Sequence, residues 1–312
     1  MKVLIVCSGN APNFDFQKHQ AFIYDQVEAA KRADPSIAFD YFFITGKGLK
    51  GYLGSLKELK KKLKAERYHC IHAHVAASAL LANLQRQVPV VATFHGSDIN
   101  DIRLRFLSLW VELLSKQTIY VSEQLLKKAF FYFKHKAQVI PCGVDFGFFF
   151  PRSKEASKAQ MGLLPEKKYI LFSSSFANTV KNYPLAAEAL SRINNPNLQL
   201  LELKGYRRDE VAVLLTAVDA ALMTSHTEGS PQFIKEAIAC GCPVVSTDVG
   251  DVKSVIENIE GCFITSRQPE DVASKIFQAL NFSAPINGSE RIQRFDNELI
   301  AKRLISLYKS IS

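Results

Sequence analysis

The sequence predicts an α/β protein built from two parallel-sheet layers, on three observations. Short apolar runs alternate with helix-length amphipathic segments from Val3 to Lys309. The runs are continuous rather than alternating, as expected of strands covered on both faces. The rhythm breaks at Gly143–Arg152, GVDFGFFFPR, where Gly143, Gly147 and Pro151 mark a linker between domains. A length of 312 residues allows one large or two medium domains, and 47% hydrophobic content is ample for buried cores.

In order, Val3–Cys7 is the first buried strand, followed by the polar loop SGNAPN and a helix over Phe16–Arg32. Strands follow near Phe39–Ile44, Cys70–Ala73, Val88–Phe94, Thr118–Val121 and Gln138–Pro141, with helical segments between. The loop at Gly9 has no G-x-G-x-x-G, so a dinucleotide site is not supported. Ser55–Arg67 is a basic amphipathic helix, with Leu56, Leu59 and Leu63 on one face and Lys57, Lys60, Lys61, Lys62 and Lys64 around the other. It is either the solvated outside of a sheet-covering helix or a contact for anionic lipid. Beyond the linker, strands are expected at Tyr169–Ser173, Leu198–Leu203, Ala220–Thr224, Pro243–Thr247 and Gly261–Ile264. Helices at Asp271–Leu280 and Asp296–Lys309 finish the chain.

The densest stretch is Ala220–Gly250, a strand, polar loop, helix and strand. Ser230 reads as the helix N-cap, Pro231 as its first residue and Gly241 as the residue beyond its end. Glu228 and Glu236 stand in an E-x7-E spacing, one in the loop and one inside the helix. Amides of Gly229, Ser230, Gln232 and Phe233 at the helix start suit a phosphate, and the two carboxylates suit hydroxyls. Lys181, opening a helix after the loop SSSFANTV, is either a diphosphate-neutralising cation or a plain surface lysine. His95 ends the strand run PVVATF, where open α/β sheets bind ligands; a satisfied loop histidine is the alternative. His69, His72 and His74 have no matching ligand cluster elsewhere, so no metal is expected.

The formal charge of +9 points to acidic ligands or an anionic membrane surface, and no motif supports nucleic acid. The scattered cysteines suit packed thiols in a reducing compartment. With no signal-peptide core and no apolar run of spanning length, a cytoplasmic protein is expected.

The run EGSPQFIKEAIACGCPVVSTDVG resembles the donor-site signature of retaining glycosyltransferases of family 4, and SGN, IHAH, TFHGSD, VIPCGVD and KNYPLAAEAL fall in that family's order over nearly the whole chain. The resemblance implies the GT-B fold, two Rossmann-like domains facing across a cleft: residues 1–148 on the acceptor side and 149–297 on the donor side, with the last helix, about 298–312, returning to the first. It implies sugar transfer from a nucleotide-diphosphate-sugar to a glycan or lipid-linked acceptor in cell-surface polysaccharide or glycoconjugate synthesis, without a cofactor or metal, in the cytoplasm or at the inner face of the membrane. By the same resemblance Glu228, His95 and Lys181 are catalytic. Gly9, Asn10, Lys181, Glu228, Gly229, Ser230, Gln232, Phe233 and Glu236 bind the donor. The family's usual arginine ahead of the lysine is absent, since Ser173, Ser174, Ser175 and Phe176 occupy that loop; Lys204, Arg207 or Arg208 are candidate replacements. A GT-B sugar-nucleotide epimerase and a noncatalytic sugar-nucleotide or glycan binder are the rival readings.

Overall fold

The computed structural model describes residues 1–46, 48–130, 132–286 and 288–311, apart from the side chains of Leu49 and Ser289. It divides into two compact units, Met1–Gly143 with Asn297–Ser312, and Val144–Asp296. The division lies upstream of the expected 148/149 boundary because the linker is packed into the second unit. Val144 N–H donates to the Phe295 carbonyl at 2.7 Å. Asp145 caps the turn after it, and Phe149 is 1% exposed in the core.

In the first unit the strands are β1 Lys2–Ser8, β2 Ala38–Ile44, β3 Cys70–His74, β4 Val90–Phe94, β5 Gln117–Tyr120 and β6 Ala137–Val139. The helices are α1 Ala21–Ala33, α2 Gly48–Ala65, α3 Ala76–Asn83, α4 Ile102–Leu114 and α5 Glu123–Lys128. The sheet is parallel in the order β2-β1-β3-β4-β5-β6. Alternation along β1 feeds two cores: Leu4 and Val6 pack with Ile71, Ala92 and Leu59, while Val3, Ile5 and Cys7 pack with Ile23 and Val27. The expected helix over Phe16–Arg32 is broken at Gln20, which leaves a turn capped by Asp15 before α1.

Helix α2 starts well before Ser55, because Gly51 lets the chain lie against Gly46; a Cβ there would meet the Gly46 carbonyl carbon at 2.4 Å. Its leucine face is not available to a membrane. Leu59 and Leu63 are 0% and 8% exposed and belong to the core.

The second unit carries β7 Lys168–Phe172, α6 Tyr183–Ser191, β8 Leu198–Glu202, α7 Arg208–Ala217, β9 Ala220–Met223, α8 Gln232–Ala239, β10 Val244–Thr247, α9 Val252–Ile256, β11 Cys262–Thr265 and α10 Pro269–Leu280. Its parallel sheet runs β11-β10-β9-β7-β8. The last helix, α11 Asn297–Lys309, returns to the first unit, where Ile300, Leu304 and Tyr308 join the core on the Val3–Ile5 face. Strand order reverses between β1 and β3 and between β7 and β9, and the carboxyl ends at such reversals are where open α/β sheets take ligands.

Candidate functional site

The loop after β7 and the loop after β9 meet at the second unit's switch point. Asn178 accepts from Val180 N–H and forms a short turn that ends at Lys181. His226 N–H donates to the Val180 carbonyl at 2.9 Å, tying the two loops together. Thr224, just past β9, donates to the carbonyls of Lys181 and Asn182, both at 3.0 Å. These bonds bring Lys181 Nζ to 2.6 Å from Glu228 Oε1, with side-chain exposures of 20% and 15%. Ser225 Oγ donates to the same carboxylate oxygen at 2.7 Å. A partly buried ion pair held by backbone contacts on both sides is a positioned one.

Glu236 lies within α8 and is 3% exposed. Arg208 Nη2 stands 2.8 Å from its Oε1, a close ion pair on an oxygen that is itself buried and has no hydrogen bond from the described residues. Of the three candidate cations, Arg208 comes to the signature helix, with its guanidinium 4.7 Å from the Phe149 ring. Arg207 is committed to Asp209 on the surface, and Lys204 is exposed. The serine loop is anchored instead by Glu202, which accepts from Ser175 Oγ and Phe176 N–H at 2.7 Å each. Arg267, unforeseen in the sequence, donates to the His226 carbonyl at 2.7 Å.

The start of α8 differs from expectation. Pro231 is the cap residue, without a side-chain cap bond, and Ser230 does not cap the helix. The Ser230 hydroxyl donates to Asp251 Oδ2 at 2.6 Å and accepts from Lys235 Nζ at 2.5 Å. Lys235 is 0% exposed, over the Phe295 ring at 4.2 Å and 3.8 Å from Asp251 Oδ2. Because α8 is buried on nearly every side, a lysine there must find partners inside. Its signal in the sequence is a charge standing between Ile234 and Glu236 in an otherwise apolar helix. The C-terminus is as expected: Gly241 has φ +74°, its N–H bonds Ile238, and Cys242 N–H bonds Ala237.

Gly250 completes the loop wall. With φ +58°, it is packed so that a Cβ would meet the Gly229 carbonyl oxygen at 2.7 Å, so only glycine fits. Gly229 and Phe233 are buried beside Glu228 and Glu236, while Gln232 is half-buried.

In the first unit the β1 and β3 ends hold Gly9, Asn10 and the histidines. Gly9 N–H bonds the Ile44 carbonyl at 2.9 Å, and a Cβ on Gly9 would meet Phe43 at 2.9 Å. Asn10 N–H reaches Ser8 Oγ at 3.4 Å. Asp98 is 0% exposed and accepts from the amides of Gly96, His95 and Ala76, so one carboxylate locks the loops after β3 and β4. His95 lies with Nε2 3.0 Å from His74 Nδ1 and packs on Phe22 at 4.8 Å. Burial pulls its pKa down to about 4, so it is a neutral imidazole near pH 7. His72 bridges Tyr308 Oη and Thr93 Oγ1 at 2.6 and 2.7 Å, and burial lowers it to about 3. Among the described residues no three His, Cys, Asp or Glu side chains are grouped to hold a metal.

Residues 2–148 match the family described as Glycosyltransferase Family 4, and residues 184–281 match Glycosyl transferases group 1. An uncharacterized glycosyltransferase of Methanocaldococcus jannaschii is 26% identical over 85% of this chain and 82% of its own length. The UDP-Gal:alpha-D-GlcNAc-diphosphoundecaprenol alpha-1,3-galactosyltransferase of Escherichia coli is 26% identical over 65% of this chain and 64% of its own. Sucrose-phosphate synthase from Thermosynechococcus elongatus superposes with a TM-score of 0.81 at 16% identity, over 99% of this chain and 98% of that one.

Proposed function

The chain belongs to the family 4/group 1 glycosyltransferases of GT-B fold, and from that premise we propose that it transfers a sugar from a nucleotide-diphosphate-sugar to a lipid-linked or glycan acceptor with retention of configuration. The observation that carries this reading is the Lys181–Glu228 pair at the second unit's switch point, with Glu236 buried one helix turn and a half beyond it.

When the bond between the sugar C1 and the diphosphate breaks, its electron pair goes to the departing phosphate oxygen, and the acceptor hydroxyl supplies the new oxygen and releases a proton. Lys181 is the cation available to the growing negative charge; a diphosphate would share it with Glu228. Glu228 would accept from the sugar hydroxyls and Glu236, paired with Arg208, from the ribose. His95, neutral near pH 7, would act toward the sugar as a hydrogen-bonding group rather than as a charge. Hexosyl or N-acetylhexosaminyl donors both fit this chemistry. A lipid-linked acceptor is favoured by the undecaprenol-linked acceptor in the Escherichia coli relative's name, and a cytoplasmic site at the inner membrane face follows from it.

The test is a thermal-shift screen of UDP-, GDP- and ADP-linked sugars in EDTA. A donor that binds the folded state raises the midpoint by mass action, and sugar transfer to a lipid-diphosphate acceptor then proceeds in the same buffer. A shift that appears only after Mg²⁺ or Mn²⁺ is added would show that a metal does what is assigned here to Lys181. Conversion of the donor sugar without an acceptor would mark an epimerase instead.

A further inference from the structure

The first unit carries an apolar face that its own core does not use. Along α4, Ile102, Phe106, Trp110 and Leu113 recur at one-face helical spacing and are 53%, 58%, 60% and 55% exposed. Phe130, 46% exposed, packs on Phe106 at 5.0 Å and widens the stripe. The helix's opposite side is satisfied, with Ser108, Val111 and Glu112 buried. Leu107, between the two sides, helps line an apolar groove of about 400 Å³ with Tyr52, Leu53, Leu80 and Leu84. Leu53 also belongs to the adjoining groove, lined by Lys57, Lys60, Lys61 and Lys64 of α2 with Glu58 as its one acidic member among the described residues. Apolar stripe, groove and lysine row are thus one continuous surface. Arg103 on α4 and Lys127 on α5 are exposed and add positive charge.

We propose that this surface docks on an anionic bilayer, with the α4 stripe entering the interface and the α2 lysines lying over the lipid headgroups. The occupant follows from the pairing of the two chemistries. Trp, Phe and Leu on one helix face beside Lys and Arg form the pattern of an interfacial helix. A second copy of the chain in a two-fold contact would bring Arg103 and the lysine row against themselves, which like-charge repulsion opposes. A nucleic acid would satisfy the lysines and leave the stripe in water. The sequence points to α2 alone; its Leu59 and Leu63 are in the core and Leu53 lines the groove, so α2 supplies mainly the charge and α4 the apolar stripe. The inference stands apart from the transferase reading, though a lipid-linked acceptor would lie at such a surface.

Trp110 is the sole tryptophan, so the wild-type chain reports on itself. With vesicles of phosphatidylcholine and phosphatidylglycerol, its emission moves to shorter wavelength and is quenched by brominated acyl chains; phosphatidylcholine alone does neither. Each engaged lysine is worth about five-fold in partition, so the Lys60→Glu/Lys61→Glu/Lys64→Glu variant binds at least about ten-fold more weakly, as does wild type at high salt. Phe106→Ser/Leu113→Ser changes exposed positions, keeps the reporter and also weakens binding. Unchanged Trp110 emission in anionic vesicles overturns the proposal, as does equal binding to neutral ones. A lipid-free shift that grows with protein concentration would overturn it too, by showing that a second copy covers the stripe. Donor binding by thermal shift, run on the same samples, reads the transferase site separately.

Discussion

Glu236 shows what a single side chain contributes at this site. It is a carboxylate withdrawn from water, facing Arg208 at 2.8 Å, with an oxygen that no described group bonds. Glu236→Gln keeps the shape and the helix ends but removes the charge from the acceptor. The expected loss is about 1.5–3 kcal/mol in donor affinity. Folding should suffer less, because Arg208 is partly exposed and can turn to water. Titration of the nucleotide-sugar identified by the thermal-shift screen, set against the unfolding midpoint of the apo protein, separates the two effects; a donor isotherm equal to wild type would remove Glu236 from the site. The two glutamates and Lys181 were legible in the sequence because motif spacing and loop position mark them. Arg208 was named as one of three candidate cations, but its pairing with Glu236 was not legible, nor was Asp251, which holds Ser230 and Lys235; both come from other segments that the sheet order, rather than any local pattern, brings to the signature helix. His95 was legible as a strand-end residue, but its low pKa depends on the neighbours that bury it.

At the scale of elements, the working loop Ser225–Ser230 is shaped as much by Gly250 and Asp251, in the loop after β10, as by its own residues. Ser230 illustrates why local reading failed: serine before proline before a helix is a fair N-cap pattern, but the buried Lys235 and Asp251 claim its hydroxyl. Strand and helix order was readable throughout, since continuous apolar runs and helical periodicity are local properties. The start of α2 was hidden by Gly48, Gly51 and Gly54, which argue against a helix until the Gly46–Gly51 approach is seen. Gly250 makes the loop's dependence testable. Gly250→Ala adds a methyl 2.7 Å from the Gly229 carbonyl oxygen at a left-handed φ, so either Gly229 shifts or the fold is strained. The expected outcome is a stability loss of about 1–3 kcal/mol together with weakened donor binding, because Glu228 precedes the displaced residue. Gly205→Ala is the control: its φ is also positive, but no atom lies within 4 Å of the added methyl, so it should cost some stability and leave donor binding intact. Equal donor affinity in both variants would separate Gly250 from the site.

For the whole molecule, the two units should respond differently to acid, because the buried histidines are all in the first. His72 and His95 have pKa values lowered to about 3 and about 4, and His74 lies well below its ordinary value, each chiefly through burial. In the unfolded chain these groups protonate near pH 6.5. As the pH falls below 6.5 the unfolded state therefore takes up protons that the folded state refuses, and stability drops with pH; above 6.5 these groups add no slope. Asp98 and Glu112, both raised by burial, work in the opposite sense, so the three histidines set the slope where they outweigh these two carboxyls. Calorimetry from about pH 6.5 to 4.5 should show the first unit's transition moving to lower temperature on acidification while the second unit's stays nearly still. Tyr308→Phe should lower the first transition further, by about 1–3 kcal/mol, since it leaves buried His72 Nδ1 without the hydroxyl that ties α11 to β3. Saturating donor should raise the transition of the second unit, which carries Lys181, Glu228 and Glu236, by mass action. If both transitions fell together with pH, or if the first were flat from 6.5 to 4.5, the histidine stack would not be the acid-labile element of the fold.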